Sequence, residues 1–326
     1  MRRQMLVSGV LAVVIALIMV VGTTAQAEME QYESEVILSL PWGSGPNEIG
    51  YYRVPEGQEG RRWGPEAMGV DSDGSIYIYD TINARVKVFD QKGNLLRNFS
   101  VEATATNMCV DSQKAVWMLD NPNAKICKYD SAGTLVETVQ YEPAQEKDRH
   151  WAGRIKAQGK MIYSEGHGGW FEVQPNKVPS KAIAGKRLTK AVLKLVAGKG
   201  EALTKSGYHY RKGETGRNSL IVTDKHGNTV LSVQVSKYHP DDGVGFFSED
   251  KYNNIYLRVS GWRESKVYEE IWKYNLSNEL MAKIGPIDKT WYVGVQGQWL
   301  ILDQEGNVYV LDTEKEGVKI VKWSRK

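Results

Sequence analysis

The sequence predicts an all-β protein, a six-bladed β-propeller of four-stranded antiparallel blades, and three observations carry that expectation. The first is a repeat. Residues 70–95 return as residues 110–135, with nine of 26 positions identical, Val70-Asp71-Ser72 and Val110-Asp111-Ser112 among them. A period of about 40 residues built from short strands is the mark of propeller blades. The second is the pattern within a copy, where alternating apolar runs are separated by Asp, Asn and Gly turns. The third is a complementarity of the two ends. The last copy stops after three strands, and Val36-Ile37-Leu38-Ser39-Leu40 can supply the fourth. A strand added there covers an edge that would otherwise invite aggregation.

The elements of the first copy follow in order. Met68-Gly69-Val70-Asp71 forms an inner strand and Asp73-Gly74 a turn. Ser75-Ile76-Tyr77-Ile78-Tyr79 is the second strand, Asp80 to Ala84 a loop, and Arg85-Val86-Lys87-Val88-Phe89 a half-buried third strand. Asp90 to Asn94 is a hairpin turn before the outer strand Leu95 to Phe99. The second copy repeats this through Asp120, Asn123-Ala124, Asp130 and Gly133, with Trp117 in its second strand.

Later copies are weaker. Asp303 and Asp312 keep the spacing of Asp71 and Asp80, while Phe247 to Asp250 followed by Asn254 to Leu257 reads as another inner pair. Asp224 to Asn228 matches the third turn, and Ile162-Tyr163 reads as a second strand. The distance from Asp111 to Asp250 leaves room for two copies. The blades are therefore expected at 64–102, 103–141, 150–190, 191–236, 243–286 and 289–326, the last completed by 35–41. Val36, Leu38 and Leu40 are expected to bury one shared face of that closing strand.

Residues 1–27 read as a signal peptide. Arg2-Arg3 precedes an apolar run from Met5 to Val21, and Ala25-Gln26-Ala27 offers a small-residue cleavage site. The expected location is periplasmic or secreted, with residues 28–326 forming the propeller and no stable membrane span after cleavage. An uncleaved anchor is the competing reading, because the run approaches spanning length. The chain's formal charge is only +3, of which Arg2 and Arg3 supply two. That balance argues against a nucleic-acid partner. Cys109 and Cys127 fall on the first and third strands of one blade, about two strand spacings apart, beyond disulfide reach. Two free thiols are expected.

The first copy, from Trp63-Gly64-Pro65-Glu66 through Phe99, resembles an NHL repeat. Asp80, Asn83 and Arg85 in an Asp-x-x-Asn-x-Arg stretch carry the resemblance, together with Val88-Phe89-Asp90. It is good over two copies, partial in the last two and faint between them. The resemblance implies a six-bladed propeller, a fold that serves mainly as a binding platform and sometimes as an enzyme. Fold does not by itself carry activity.

One loop face, around the channel mouth, is expected to gather aromatics. Trp63, Trp151 and Trp291 precede inner strands, Trp170 and Trp262 fall in second-to-third-strand loops, and Tyr238-His239 precedes the fifth blade. Such a rim suits a protein, peptide or glycan partner. The competing reading packs these rings between blades. Glu165-Gly166-His167-Gly168-Gly169-Trp170 is the most site-like short segment, and Glu165, His167, His150 and His239 are weak metal-ligand candidates. Residues 177–217 carry 11 Lys or Arg against Glu201 and Glu214, a solvated face or a steering patch for an anionic partner. Asn98-Phe99-Ser100 and Asn275-Leu276-Ser277 fit a glycosylation pattern that matters only in a eukaryotic host.

No nucleophile elbow, zincin motif or phosphate loop is present. No cofactor is required by any motif, though a divalent metal in the channel stays open. The favoured reading is an exported binding or scaffold propeller. The alternative is a metal-dependent lyase or hydrolase, lactonase-like, acting at the channel mouth, for which Glu48, Asn107 or Asp242 are isolated candidates.

Overall fold

The computed structural model describes residues 29–55, 57, 62–140, 154–158, 161–166, 169–175, 188–198, 208–213, 216–235, 243–263, 266–287 and 298–326. The fold is all-β. Among the described residues the helical content is a single 3₁₀ turn, Asn121–Asn123.

Strands come in consecutive antiparallel sets. The first set is β2 (Ala67–Val70), β3 (Ile76–Asp80), β4 (Arg85–Phe89) and β5 (Leu95–Ser100), hydrogen-bonded in chain order. The second is β6 (Asn107–Val110), β7 (Val116–Asp120), β8 (Lys125–Tyr129) and β9 (Leu135–Gln140). The third is β10 (Ile155–Gln158), β11 (Met161–Gly166), β12 (Gly169–Pro175) and β13 (Leu188–Gly198). Three strands follow, β14 (His209–Gly213), β15 (Gly216–Thr223) and β16 (Thr229–Gln234). The next set is β17 (Gly243–Glu249), β18 (Ile255–Arg263), β19 (Lys266–Tyr274) and β20 (Leu280–Ile284). The last set is β21 (Leu300–Leu302), β22 (Val308–Thr313) and β23 (Gly317–Arg325), with β1 (Tyr32–Pro41) on its outer edge.

Period-two patterning explains why these strands bury both faces. In the first sheet Ile76, Ile78 and Phe89 pack with Val308, Val310 and Ile320 of the last sheet. Tyr77, Tyr79, Val86 and Val88 point the other way and meet Met108, Val116, Met118 and Cys127 of the second. A strand with a neighbouring sheet on each side has no polar face to spare. The outer strand β5, by contrast, alternates half-buried and exposed residues along its length.

The closing strand pairs as expected, with one correction. Leu38 lies opposite Ile320 and Leu40 opposite Val318, both leucines buried. Val36 lies opposite Val321, but a bulge between Val36 and Leu38 inserts Ile37 as an extra residue. The bulge reverses the alternation, so Val36 is 52% exposed and does not share the leucine face.

Two further departures concern the middle of the chain. A boundary between residues 190 and 191 falls inside β13, whose later residues pair with β12 from Pro175↔Ala191 to Gly169↔Gly198. The beginning of the same strand, Leu188 to Lys190, pairs in parallel with Thr138 to Gln140 of β9. That contact covers the outer edge of the second sheet, a form of edge protection with no signal in the repeat.

Both cysteines are free and buried. Cys109 pairs with Trp117, and Cys127 with Met118. They sit on the first and third strands of one sheet, in separate apolar clusters.

Candidate functional site

The repeated aspartates build one device four times. In the first copy Asp71 Oδ1 accepts the backbone N–H groups of Asp73 and Ser75, both at 2.9 Å, and Oδ2 accepts the Tyr77 hydroxyl at 3.1 Å. Asp111 takes Gln113 and Ala115 in the same way, with the Trp117 indole N–H at 2.9 Å in place of the tyrosine. Asp250 and Asp303 repeat the pattern with Tyr256 at 3.1 Å and Tyr309 at 3.2 Å. An aromatic donor six residues on therefore ties each turn to its second strand. Burial, then the neighbouring carboxylate, pushes the Tyr77 and Tyr309 hydroxyls well above the usual tyrosine range, so they remain neutral donors.

The outer turns use a related form. Asp90 accepts the N–H groups of Lys92 and Asn94, Asp130 those of Ala132 and Thr134, and Asp224 those of His226 and Asn228. Asn275 plays the same part for Ser277 and Glu279. The turn residues Gly93 and Gly133 have φ of 80° and 88°, the left-handed region where glycine is unstrained.

The stretch that carries the NHL resemblance acts as a latch. Asp80 Oδ1 accepts the Gly50 N–H at 2.8 Å, and Asn83 Nδ2 donates to the Gly43 carbonyl at 3.1 Å. Arg85 pairs with Asp80 at 2.8 Å and donates to the carbonyls of Gly45 and Glu48. Lys87 is fully buried, and its ammonium donates to the carbonyls of Gly45, Pro46 and Glu48. The segment that leaves the closing strand is thereby pinned over the first sheet. Glu48, an isolated candidate for the metal-dependent alternative, accepts the Gly45 N–H on its carboxylate at 2.7 Å. Asn107, another such candidate, accepts the Ile155 N–H at 3.2 Å and so joins the second sheet to the third.

The innermost strands converge on one cavity of about 520 Å³. Its wall includes Asp71 after β2, Asp111 after β6, Lys156 on β10, Tyr210 on β14, Phe246 on β17 and Leu302 on β21. Ala67 at the start of β2 also forms an isolated parallel bridge with Gln298, which precedes β21. The volume is that of an ordinary small-molecule site. Cys109 also lines it, its thiol pushed far up by burial and by Asp111, which leaves it inert as a nucleophile.

The predicted rim is described only in part. Trp63 is 49% exposed and bridges Tyr52, the two exchanging backbone hydrogen bonds at 2.9 and 3.1 Å. Trp170 and Trp262 were expected in loops, but both lie on strands. Trp170 is in β12 opposite Glu165, and Trp262 is in β18 opposite Val267. The hairpin ladders continue almost to their tips, as far as Gly166↔Gly169 and Arg263↔Lys266, and so take up these positions. Trp151, Tyr238, His239, Trp291, His150, His167 and Asp242 lie outside the described residues. Glu165 is on β11 rather than in a loop. Among the described residues no three His, Cys, Asp or Glu side chains form a metal-holding group.

Comparison with known proteins gives the fold. A member of the DUF4221 family from Bacteroides vulgatus matches with a TM-score of 0.54 at 11% identity, over 92% of this chain and 99% of that one. A virginiamycin B lyase from Staphylococcus aureus matches at 0.48 and 11% identity, over 90% and 99% of the two chains. A streptogramin B lyase matches at 0.46 and 14% identity, over 90% and 98%. The chain shares a propeller-like all-β fold. No family model and no curated protein matches it.

Proposed function

We propose that the protein is an exported, six-bladed, NHL-like propeller that works as a binding scaffold, holding a protein, peptide or glycan on the aromatic end of its blades. The observation that supports this best is the position of the aromatics along their strands. Trp63 precedes the start of the inner strand β2. Trp170 opens a third strand and Trp262 closes a second strand. In an antiparallel meander these three positions share the end where the inner strand begins. The exposed pairing of Trp63 with Tyr52 puts two half-open rings there, the kind of rigid, amphipathic anchor that dominates binding energy. Six strand sets lining one cavity, with β1 paired on the outer edge of the last, support the six-bladed closed arrangement. Export rests on the segment 1–27, and residues 1–28 lie outside the described part.

The test is a panel of oligosaccharides and peptides screened against the wild type, Trp63→Ala and the Trp170→Ala/Trp262→Ala pair. Each truncated anchor should weaken a hit by about 2 kcal/mol, roughly thirtyfold in Kd, with Tm nearly unmoved. Hits that bind the variants as tightly as the wild type would overturn the aromatic end as the contact surface.

A further inference from the structure

One acid at the aromatic end of the first sheet has no partner. Glu66 stands immediately before β2 and is only 9% exposed, and among the described residues no hydrogen bond or ion pair reaches its carboxylate. The residue is held by its backbone, whose N–H donates to Thr81 Oγ1 at 3.1 Å. Burial alone lifts the carboxyl above its ordinary pKa. Its oxygens nevertheless keep contact with solvent, so it lines an opening rather than a sealed interior. The other buried acids of this sheet are committed to the fold. Asp71 accepts three hydrogen bonds, and Asp80 pairs with Arg85.

A circuit of contacts brings this carboxylate to an exposed apolar surface. Thr81 precedes Ile82, which is 39% exposed and packs on Gly50, where an added methyl would lie 2.6 Å from the Ile82 Cβ. Two residues on, Tyr52 bridges Trp63. Trp63 leads back to Glu66 through the buried Gly64 and Pro65, a span of at most about 10 Å. Tyr52 and Trp63 are each 49% exposed. Two open rings and an isoleucine therefore stand around a poorly solvated negative charge that no described residue neutralises. The cations closest to the bridge in sequence, Arg53 and Arg62, are exposed, where water and salt weaken their effect.

A basic side chain fits both halves of this arrangement. Its cationic head gains more from a carboxylate in a poorly solvated site than from one in water, and it is attracted to the faces of Tyr and Trp. Its apolar stem can cover the isoleucine. A neutral glycan brings no charge to the carboxylate, and an acidic one is repelled by it. We propose that the aromatic end takes a peptide by a lysine or arginine side chain that lies against Tyr52 and Trp63 and pairs with Glu66. This rests on the aromatic end being the contact surface and names the partner class it selects.

The probe is a fluorescently labelled alanine pentapeptide with one central lysine, followed by polarisation, with norleucine in place of the lysine as its uncharged comparator. The lysine peptide should bind saturably, and more weakly as salt rises. The norleucine peptide should bind about tenfold more weakly or worse, since a charge-assisted contact is missing. Glu66→Gln should bring the lysine peptide down to the norleucine level and leave Tm equal or higher, because an unpaired buried carboxylate costs the fold stability. Equal affinity for the two peptides, no saturable binding of the lysine peptide at millimolar concentration, or a Glu66→Gln variant that binds it like the wild type would each overturn the proposal. A fall in Tm in that variant would mark Glu66 as structural and overturn it too. Trp63→Ala separates this site from the broader reading. If it weakens both peptides equally while Glu66→Gln weakens neither, the aromatic end stands as a contact surface and the basic-side-chain site falls; if neither variant weakens any binding, both fall.

Discussion

Lys87 shows what one buried charge does to this protein. Its ammonium is held by three backbone carbonyls, and burial, aided by the neighbouring Arg85, brings its pKa down to about 8 from the ordinary 10.5. Asp80 and Glu48 pull the other way and lose. Between those two values the unfolded chain binds more protons than the folded one, so this group makes stability rise with pH, by up to about 1.4 kcal/mol per unit. Denaturant midpoints of the wild type and Lys87→Met, taken at either end of that window, should differ in slope, with the dependence missing from the variant. At low pH the variant still loses the donor for those carbonyls, a cost of about 1–3 kcal/mol. Equal slopes in both proteins would show that Lys87 does not titrate in this range. The thiols are a second residue-scale case. Alkylation of denatured, unreduced protein should add two labels, at Cys109 and Cys127, while the native protein reacts slowly because both are buried.

At the scale of the element, the closing strand separates what the sequence discloses from what it conceals. Pairing of Val36 to Leu40 with the last strand is legible, because an incomplete final blade and a spare apolar strand answer each other. The bulge at Ile37 is not, since an extra residue leaves the hydrophobic pattern unchanged while reversing which face each residue uses. Leu40→Ala should therefore cost about 2–5 kcal/mol, and Val36→Ala less than about 0.5, in chemical denaturation. A large loss at Val36 would mean that the bulge is misplaced. The aspartate turns are legible for a different reason: their partners lie two, four and six residues away, within one repeat. The targets of Asn83, Arg85 and Lys87 lie about 40 residues upstream in a segment of no regular structure, and no local pattern points there.

Over the whole molecule, a long repeat reveals architecture more readily than chemistry. Copies one and two display their sheets because the same turn chemistry recurs. The parallel contact of β13 with β9 occurs once, so repetition gives it no signal. The cavity is harder still, since its wall takes a few residues from each of several distant strands and only assembly puts Lys156 over Phe246. Counting strands is what marks the aromatic positions in the sequence. That method places a residue along its blade but cannot tell a strand end from the loop beyond it, as Trp170 and Trp262 show.

The sheet that unites β1 with β23 also sets a clock. Tyr32 lies opposite Arg325, so β1 is made long before the strand it pairs with. While the chain is being synthesised, Leu38 and Leu40 have no Ile320 or Val318 to meet, and contacts of such long sequence separation form slowly in any case. A polypeptide leaving the ribosome N-terminus first would thus keep β1 unpaired until β23 emerges. A chain released before β23 is made would carry an orphaned β1 edge that can seek a mate on another molecule.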